Sequence, residues 1–165
     1  MSDRRTSIKW VLASAIGLTL NPNLVFAKGI QTKRKNIIIV GLGNRGKRFI
    51  KHALLHPELY QITTLIDQNP KLIQEVVHEF SLYTCQTFHS MDEIKKDNEN
   101  ELVYVSTNGD HTDILKRGLH LNLNVWTDKP VINKLAKQEL LAFANQKNLE
   151  LTQKHLISLD QLISA

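Results

Sequence analysis

The sequence feature that most constrains the fold is an apolar run that leads into three spaced glycines. Residues Ile37–Val40 are branched and apolar, and Gly41, Gly43 and Gly46 then follow with the spacing G-x-G-x-x-G. A short strand that is apolar on every side chain is typical of a parallel sheet covered on both faces. Glycines at this spacing allow a tight turn from a strand into a helix. The pattern therefore predicts the first strand, turn and helix of an α/β domain.

Strands and helices are predicted to alternate along the rest of the chain. The predicted strands are residues 37–40, 61–66, 84–88, 101–107, 124–127 and 149–153. The predicted helices are residues 45–56, 70–80, 111–121 and 135–148, with a short extra helix after Ser90. This alternation predicts a doubly wound parallel sheet with helices on both faces, which is a single Rossmann-like domain.

Local signals predict where the helices begin and which faces they bury. Asn69 is predicted to cap the helix that has Pro70 in its first turn, where the missing N–H costs nothing. Ser90 and Glu93 have capping-box spacing. Helical spacing predicts apolar faces that include three leucines of the first and last long helices: Leu54, Leu135 and Leu141.

The glycine turn has the chemistry of a site for a dinucleotide diphosphate. Gly41 permits the turn, Gly43 lets the backbone approach the phosphates, and Gly46 lets the helix pack on the sheet. The N–H groups at the start of the helix, around Asn44 and Arg45, would then point at the anion. The bland alternative is that the glycines only turn the chain.

A carboxylate at the end of the second predicted strand supports the dinucleotide interpretation. Asp67 lies 21 residues after Gly46, where an acidic residue can accept hydrogen bonds from ribose hydroxyls. Its negative charge would repel a 2′-phosphate, so NAD is favoured over NADP as the cofactor. Two alternatives stay open: Arg45, Lys47 or Arg48 could favour a 2′-phosphate, and Asp67 could instead cap the following helix.

Two further polar stretches follow the fourth and fifth predicted strands. They contain Thr107, Asn108 and His111 in the first, and Lys129 and Pro130 in the second. The carboxyl ends of parallel strands form the edge where ligands bind in open α/β sheets. Lys129 could donate to the nicotinamide ribose or a substrate hydroxyl, or take part in proton transfer. The alternatives are that His111 only starts a helix and that Lys129 is a solvated loop lysine.

The order of these motifs resembles the N-terminal domain of the Gfo/Idh/MocA oxidoreductases over about residues 35–153. Asn108, His111, Lys129 and Pro130 match the family pattern. The family usually has a proline before the asparagine and a glutamate before the lysine, where this sequence has Thr107 and Asp128. The resemblance implies an NAD(P)-dependent oxidoreductase acting on sugars or polyols.

The resemblance also implies residue roles and a missing part. Lys129 corresponds to the family lysine at the substrate and nicotinamide, which makes it the candidate catalytic residue. The same resemblance implies cofactor-binding roles for Gly41, Gly43, Asn44, Arg45, Gly46, Asp67, Thr107, Asn108, His111, Lys129 and Pro130. Family members continue into a second α/β domain that supplies most of the substrate surface, and the present sequence shows nothing that resembles it.

Composition excludes several other classes of function. The net charge is +5, and the Lys and Arg residues are scattered rather than arranged in a dense stripe, which disfavours nucleic acid as a partner. Cys85 is the single cysteine, which excludes an internal disulfide and a cysteine-rich metal site. We therefore predict no metal site and no nucleic-acid partner.

The first 27 residues are typical of an export signal. Arg4 and Arg5 precede an apolar run from residue 10 to residue 20, which is too short to cross a bilayer core as a helix. Ala27 ends a Val-Phe-Ala sequence suited to signal peptidase. The arginine pair is similar to a twin-arginine signal, so we predict a periplasmic protein. A Sec signal, or an uncleaved signal that attaches the chain to the inner membrane, remains the alternative.

These features predict four segments and leave several functions open. The segments are a signal at residues 1–27, a linker at 28–35, the dinucleotide-binding domain at 36–153 and a tail at 154–165. The chain is either the cofactor half of an oxidoreductase that turns over little by itself, or a non-catalytic nucleotide-binding module, or a truncated remnant. A second chain or a homo-oligomer could complete the first of these.

Overall fold

The computed structural model describes residues 33–96 and 99–154, which form a six-stranded α/β sheet domain. The strands are β1 (Lys35–Val40), β2 (Tyr60–Ile66), β3 (Gln86–Phe88), β4 (Leu102–Val105), β5 (Asn124–Thr127) and β6 (Leu151–Gln153). The helices are α1 (Asn44–Leu55), α2 (Pro70–Glu79), α3 (Thr112–His120) and α4 (Lys134–Gln146), with a 3₁₀ turn at Met91–Glu93.

All six strands are parallel and lie in the order β3-β2-β1-β4-β5-β6. The chain therefore winds outward from β1 in one direction to β3, crosses back to β4, and continues outward to β6. The predicted Rossmann-like fold is confirmed. The reversal between β1 and β4 opens a crevice at the carboxyl ends of these strands, which is where such sheets bind ligands.

Alternate side chains of β1, β2, β4 and β5 enter two separate cores, as the pleat of a strand requires. On one face, Ile37 and Ile39 of β1 pack in a cluster with Phe49 of α1 and Val76 of α2. On the other face, Ile38 belongs to a cluster built from the elements that follow β3, which are the 3₁₀ turn, α3 and α4. Both faces of the central strands are covered, which explains why β1 is apolar on every side chain.

The predicted helix faces are partly wrong. Leu54 is 44% exposed on α1, and Leu135 and Leu141 are 65% and 37% exposed on α4. In α4 the buried side chains are Leu140 and Ala144. Only one stripe of each helix reaches the sheet, so a leucine one position away from that stripe faces outward.

Three predicted strands are shorter in the structure because strand pairing stops before the predicted ends, and the sixth includes only Leu151–Gln153. The third strand includes only Gln86–Phe88, since Thr84 and Cys85 lie in a turn. The fourth ends at Val105, and Ser106 and Thr107 form the loop at the carboxyl edge. Both predicted caps are confirmed: Asn69 Oδ1 accepts from the N–H of Lys71 at 3.1 Å, and the capping box at Ser90 is formed.

In the described residues, no helix is both long and apolar enough to cross a membrane. The predicted signal at residues 1–27 lies outside the described part of the chain. So do most of the predicted linker and the tail from residue 155 onward.

Candidate dinucleotide-binding site

The glycine turn between β1 and α1 is built from two close backbone approaches. Gly41 has a φ of +87°, and a Cβ on it would lie 2.8 Å from the backbone nitrogen of Thr107. A Cβ on Gly46 would lie 2.0 Å from the carbonyl oxygen of Gly41. Gly41 thus contacts the loop after β4, and Gly46 lets α1 pack directly against the turn. Larger residues at either position would push these backbones apart.

The second glycine faces open space at the start of α1. No atom lies within 4 Å of the position that a Cβ would take on Gly43. Gly43 is also the N-cap of α1, and no side chain caps the helix there. The first turn of α1, which begins with the exposed Asn44, contains no acidic residue. Its free N–H groups and the helix dipole therefore make this end suited to an anion.

Asp67 connects the end of β2 to the glycine turn. Its Oδ2 accepts a hydrogen bond from the N–H of Leu42 at 2.8 Å, and its Oδ1 accepts from the N–H of Asn69 at 2.9 Å. Asn69, not Asp67, caps α2. Each carboxylate oxygen has a second lone pair, so Asp67 is held in place and retains capacity to accept from ribose hydroxyls.

Ser106 is a residue of this turn that the sequence did not single out. Its buried hydroxyl donates to the carbonyl oxygen of Gly41 at 2.7 Å, and its N–H donates to Val40 at 2.8 Å. It fixes the turn to the end of β4. The sequence predicted Ser106 inside the fourth strand and does not show that its hydroxyl turns toward the glycines.

A cavity of about 430 Å³ opens beside the turn, at the carboxyl edge of β1, β2 and β4. Five of the predicted site residues line it: Gly41, Gly43, Asp67, Thr107 and Asn108. The lining also includes residues that the sequence did not single out, among them Gln68, Leu72, His89, Met91, Asp92 and Arg117. They lie in the loops after β2 and β3, in the 3₁₀ turn and in α2 and α3, which approach the cavity only in the folded sheet.

The charged side chains along this cavity are mostly acidic. Asp67, Asp92, Asp110 and Asp113 line it together with one arginine, Arg117. Arg117 donates to the carbonyl oxygen of Ile94 at 2.9 Å, and lies 4.0 Å from Asp92. Its guanidinium therefore binds the segment around the 3₁₀ turn, which forms one wall of the cavity.

Asn108 and Lys129 meet across the loops that follow β4 and β5. Lys129 Nζ donates to Asn108 Oδ1 at 2.6 Å. The next residue, Pro130, is exposed. The topology thus brings together the two polar stretches that the sequence analysis placed at the same sheet edge.

His111 is buried and links the same two loops. Its Nδ1 lies 3.1 Å from the carbonyl oxygen of Gly109, and its Nε2 lies 3.3 Å from Thr127 Oγ1. A carbonyl oxygen can only accept, so Nδ1 carries a hydrogen. His111 is only 4% exposed and lines a second cavity of about 350 Å³ with Val131 and Ile132. Its observed contacts hold loops together.

Two of the three basic residues at the start of α1 are engaged by carboxylates, and the third, Arg48, is exposed. Arg45 Nη1 lies 3.0 Å from Asp128 Oδ2, and Lys47 Nζ donates to Glu79 Oε2 at 2.6 Å. Asp128 follows β5, on the side of the sheet away from β2 and Asp67. Arg45 is therefore directed away from the ribose side, where a 2′-phosphate would lie, and the ammonium group of Lys47 is occupied by Glu79 of α2. Among the described residues, no group of His, Cys, Asp and Glu side chains could hold a metal ion.

The parallel sheet, the three-glycine turn and the uncapped helix define a dinucleotide-binding domain. Residues 35–155 match the oxidoreductase family with an NAD-binding Rossmann fold known as Gfo/Idh/MocA. The chain belongs to this family, and its described part is the family's NAD-binding domain. A nicotinamide dinucleotide is therefore the ligand class of the site.

Solved structures share this fold. GenD2 from gentamicin A biosynthesis, in complex with NAD, is 20% identical with a TM-score of 0.67, and the match covers 74% of this chain and 35% of that one. Apo scyllo-inositol dehydrogenase from Lactobacillus casei is 20% identical with a TM-score of 0.65, covering 75% and 37%. KijD10, a 3-ketoreductase from Actinomadura kijaniata in complex with NADP and TDP-benzene, is 15% identical with a TM-score of 0.63, covering 73% and 37%.

These matches set the extent of the similarity. The matched region is about a third of the length of each of these three structures. No curated protein matches the chain.

Proposed function

We propose that this chain binds NAD in preference to NADP and acts as the cofactor-binding half of an oxidoreductase for sugars or polyols. The observation that carries the proposal is the open, uncapped start of α1 at Gly43, beside a cavity with Asp67 at its other side. The N–H groups of the first turn would hold the diphosphate, and Asp67 would accept from the adenine ribose.

The preference for NAD rests on the charges along the cavity. A 2′-phosphate on the ribose would add negative charge beside Asp67, in a cavity also lined by Asp92 and Asp113. Arg45 and Lys47, which could have offset that charge, are paired elsewhere. GenD2 was solved with NAD and KijD10 with NADP, so the family accommodates both cofactors.

The chemistry that the bound nicotinamide would supply is hydride transfer at C4. Of the residues on this chain, Lys129 is the one we assign to the reacting side, as a donor to the substrate or a group that moves a proton. Asn108 would position it, since its side-chain oxygen holds Lys129 Nζ at 2.6 Å. Thr107, His111 and Pro130 would shape the loops around the nicotinamide. Alone, the chain is expected to bind cofactor with little turnover.

Isothermal titration calorimetry of the full chain with NAD and NADP tests the cofactor proposal. Wild type should bind NAD more tightly by roughly tenfold, about 1.4 kcal/mol. Asp67→Asn, which removes the charge and keeps one acceptor oxygen, should lower that ratio toward one. Glu75→Gln is the matched control, since Glu75 is exposed on α2 and outside the cavity lining. Binding of neither cofactor, or a ratio unchanged in Asp67→Asn, would contradict the proposal.

We also propose that the chain is exported to the periplasm by the twin-arginine route. The support is the arginine pair Arg4-Arg5 followed by a short apolar run. Substitution of both arginines by lysine should leave the protein in the cytoplasm of an expressing bacterium, as measured by cell fractionation. Unchanged export of the variant would contradict the twin-arginine route. The alternatives are a Sec signal and an uncleaved signal held in the inner membrane.

A further inference from the structure

The ion pair between Arg45 and Asp128 joins the glycine turn to the loop after β5. Arg45 lies in the first turn of α1, where the diphosphate would bind, and Asp128 directly precedes Lys129. The distance from Arg45 Nη1 to Asp128 Oδ2 is 3.0 Å. This ion pair joins two segments that are far apart in the sequence.

The two partners of this pair differ in burial. The side chain of Asp128 is 8% exposed, whereas that of Arg45 is 52% exposed. The guanidinium therefore keeps part of its donor surface open to solvent, while the carboxylate does not. An ionised carboxylate that is removed from water and then loses its cation costs several kcal/mol. Arg45 is thus expected to stay with Asp128 rather than leave it for a phosphate.

Tyr104 of β4 is fully buried, and the charges of this pair act on its hydroxyl. Its ring stacks on Phe49 of α1 with a centroid distance of 3.8 Å. Burial raises the pKa of the Tyr104 hydroxyl above its ordinary range, the charge of Asp128 raises it further, and Arg45 acts in the opposite direction.

Two further contacts extend from Asp128 to the nicotinamide side of the site. The N–H of Asp128 donates to the carbonyl oxygen of Val105 at 3.2 Å, which continues the β4–β5 pairing by one residue. Lys129 then reaches Asn108 with its Nζ. Asp128 is therefore the single residue that connects Arg45 to Lys129, and its backbone is fixed by the hydrogen bond to β4.

We propose that the Asp128–Arg45 ion pair is a positioning device, which holds Lys129 and its loop against the glycine turn and remains intact when the dinucleotide binds. The inference rests on the proposed function, since it assumes that the nicotinamide half of the cofactor lies between these loops. It predicts that the pair contributes to binding of the diphosphate and the second ribose but not to binding of the adenosine end.

Calorimetry of the full chain with three probes tests this inference: AMP, ADP-ribose and NADH. In Asp128→Asn, which has the same shape without the charge, ADP-ribose and NADH should bind roughly tenfold more weakly, while AMP should stay within about twofold of wild type. Glu79→Gln is the matched control. It removes the carboxylate that pairs with Lys47, which lies on the same helix as Arg45, and it touches no loop of the site. It should leave all three affinities unchanged.

Two more variants test whether the pair acts as a unit. Arg45→Gln should show the same selective loss of affinity for ADP-ribose and NADH. This variant also keeps the test available if Asp128→Asn does not fold. The double variant should lose no more than the larger single loss, because partners in one interaction are non-additive. Additive losses would overturn the inference.

Three other results would overturn it too. Equal weakening of all three probes would show a general effect on the fold, and no weakening would show no effect. Tighter binding in Asp128→Asn would show that Asp128 competes with the diphosphate for Arg45. If wild type bound none of the probes, the proposed function itself would fail. If wild type bound them and the variants showed no selective loss, only the inference about the ion pair would fail. The two failures are therefore distinguishable.

Discussion

At the scale of single residues, the three glycines of the turn have different roles. Gly41 and Gly46 are required by the protein itself, because a Cβ on either would meet backbone atoms at 3.0 Å or less. Gly43 meets nothing within 4 Å, so the fold does not require a glycine there. The space beside Gly43 is what a bound diphosphate would use.

This difference predicts opposite outcomes for two alanine substitutions. Gly46→Ala should destabilise the domain by about 1–3 kcal/mol or more, because the Gly41 carbonyl must move. Gly43→Ala should change the free energy of unfolding by less than about 1 kcal/mol, yet weaken NAD binding. Urea unfolding and calorimetry on both variants check this. Equal destabilisation by the two substitutions would contradict the assignment of Gly43 to ligand contact.

Residue identities in the site were easier to predict than their partners. The spacing of Gly41, Gly43 and Gly46 and the position of Asp67 follow local rules, so the sequence shows them. The partner of Arg45 does not follow from any local rule, because Asp128 reaches it only after α1 and the end of β5 are placed in the folded sheet. The proposed attraction of Arg45 for a 2′-phosphate therefore could not be judged from sequence.

At the scale of elements, α1 differs from the other helices at its first turn. Asn69 and Asn133 cap α2 and α4 with their side chains, and Asp110 accepts from the N–H of Thr112, the first residue of α3. The N-cap of α1 is Gly43, which offers no side-chain cap, and no acidic residue lies in its first turn. Its N–H groups are thus available to a ligand, whereas each of the other three helices has a side chain that accepts from an N–H group of its first turn.

Asp110 gives the start of α3 a pH dependence. Its Oδ1 accepts from the N–H and the hydroxyl of Thr112 at 2.9 and 2.6 Å, and these bonds lower its pKa below the ordinary value of 3.8. A lowered folded-state pKa contributes stability that is present above the unfolded pKa and is lost as the pH falls through the folded one. The contribution is therefore full at neutral pH.

The substitution Asp110→Ala tests this dependence. Wild type should be more stable than the variant at neutral pH, because the carboxylate is charged and accepts both bonds. The difference should begin to shrink as the pH falls through about 4, the unfolded value. It should be lost below the lowered folded-state pKa, where the carboxyl is protonated in both states. Urea unfolding across this range measures it. A difference that is the same at every pH would show that the charge of Asp110 plays no part.

The elements themselves were largely predictable, since buried strands and capped helices have strong local patterns. β5 and the cap of α2 agree with the prediction residue for residue. β3, β4 and β6 were predicted too long, because an apolar or β-branched residue can lie outside the sheet where its neighbouring strand ends. The exposure of Leu54 depends on how α1 is rotated on the sheet, which its own sequence leaves open.

At the scale of the whole molecule, the strand order places every site loop at one edge. The turn after β1, Asp67 after β2, Asn108 after β4 and Lys129 after β5 all follow carboxyl ends of parallel strands. A strand order that reverses next to β1 then separates the loops enough to admit a ligand. This edge is therefore where we expect the cofactor to bind.

A crystal structure of the full chain with NAD is the measurement that tests the central claim most directly. We predict the diphosphate within hydrogen-bond distance of the N–H groups in the first turn of α1, next to Gly43, with the adenine ribose on Asp67. A dinucleotide bound away from the glycine turn, or a turn that rearranges to exclude the diphosphate, would contradict the account.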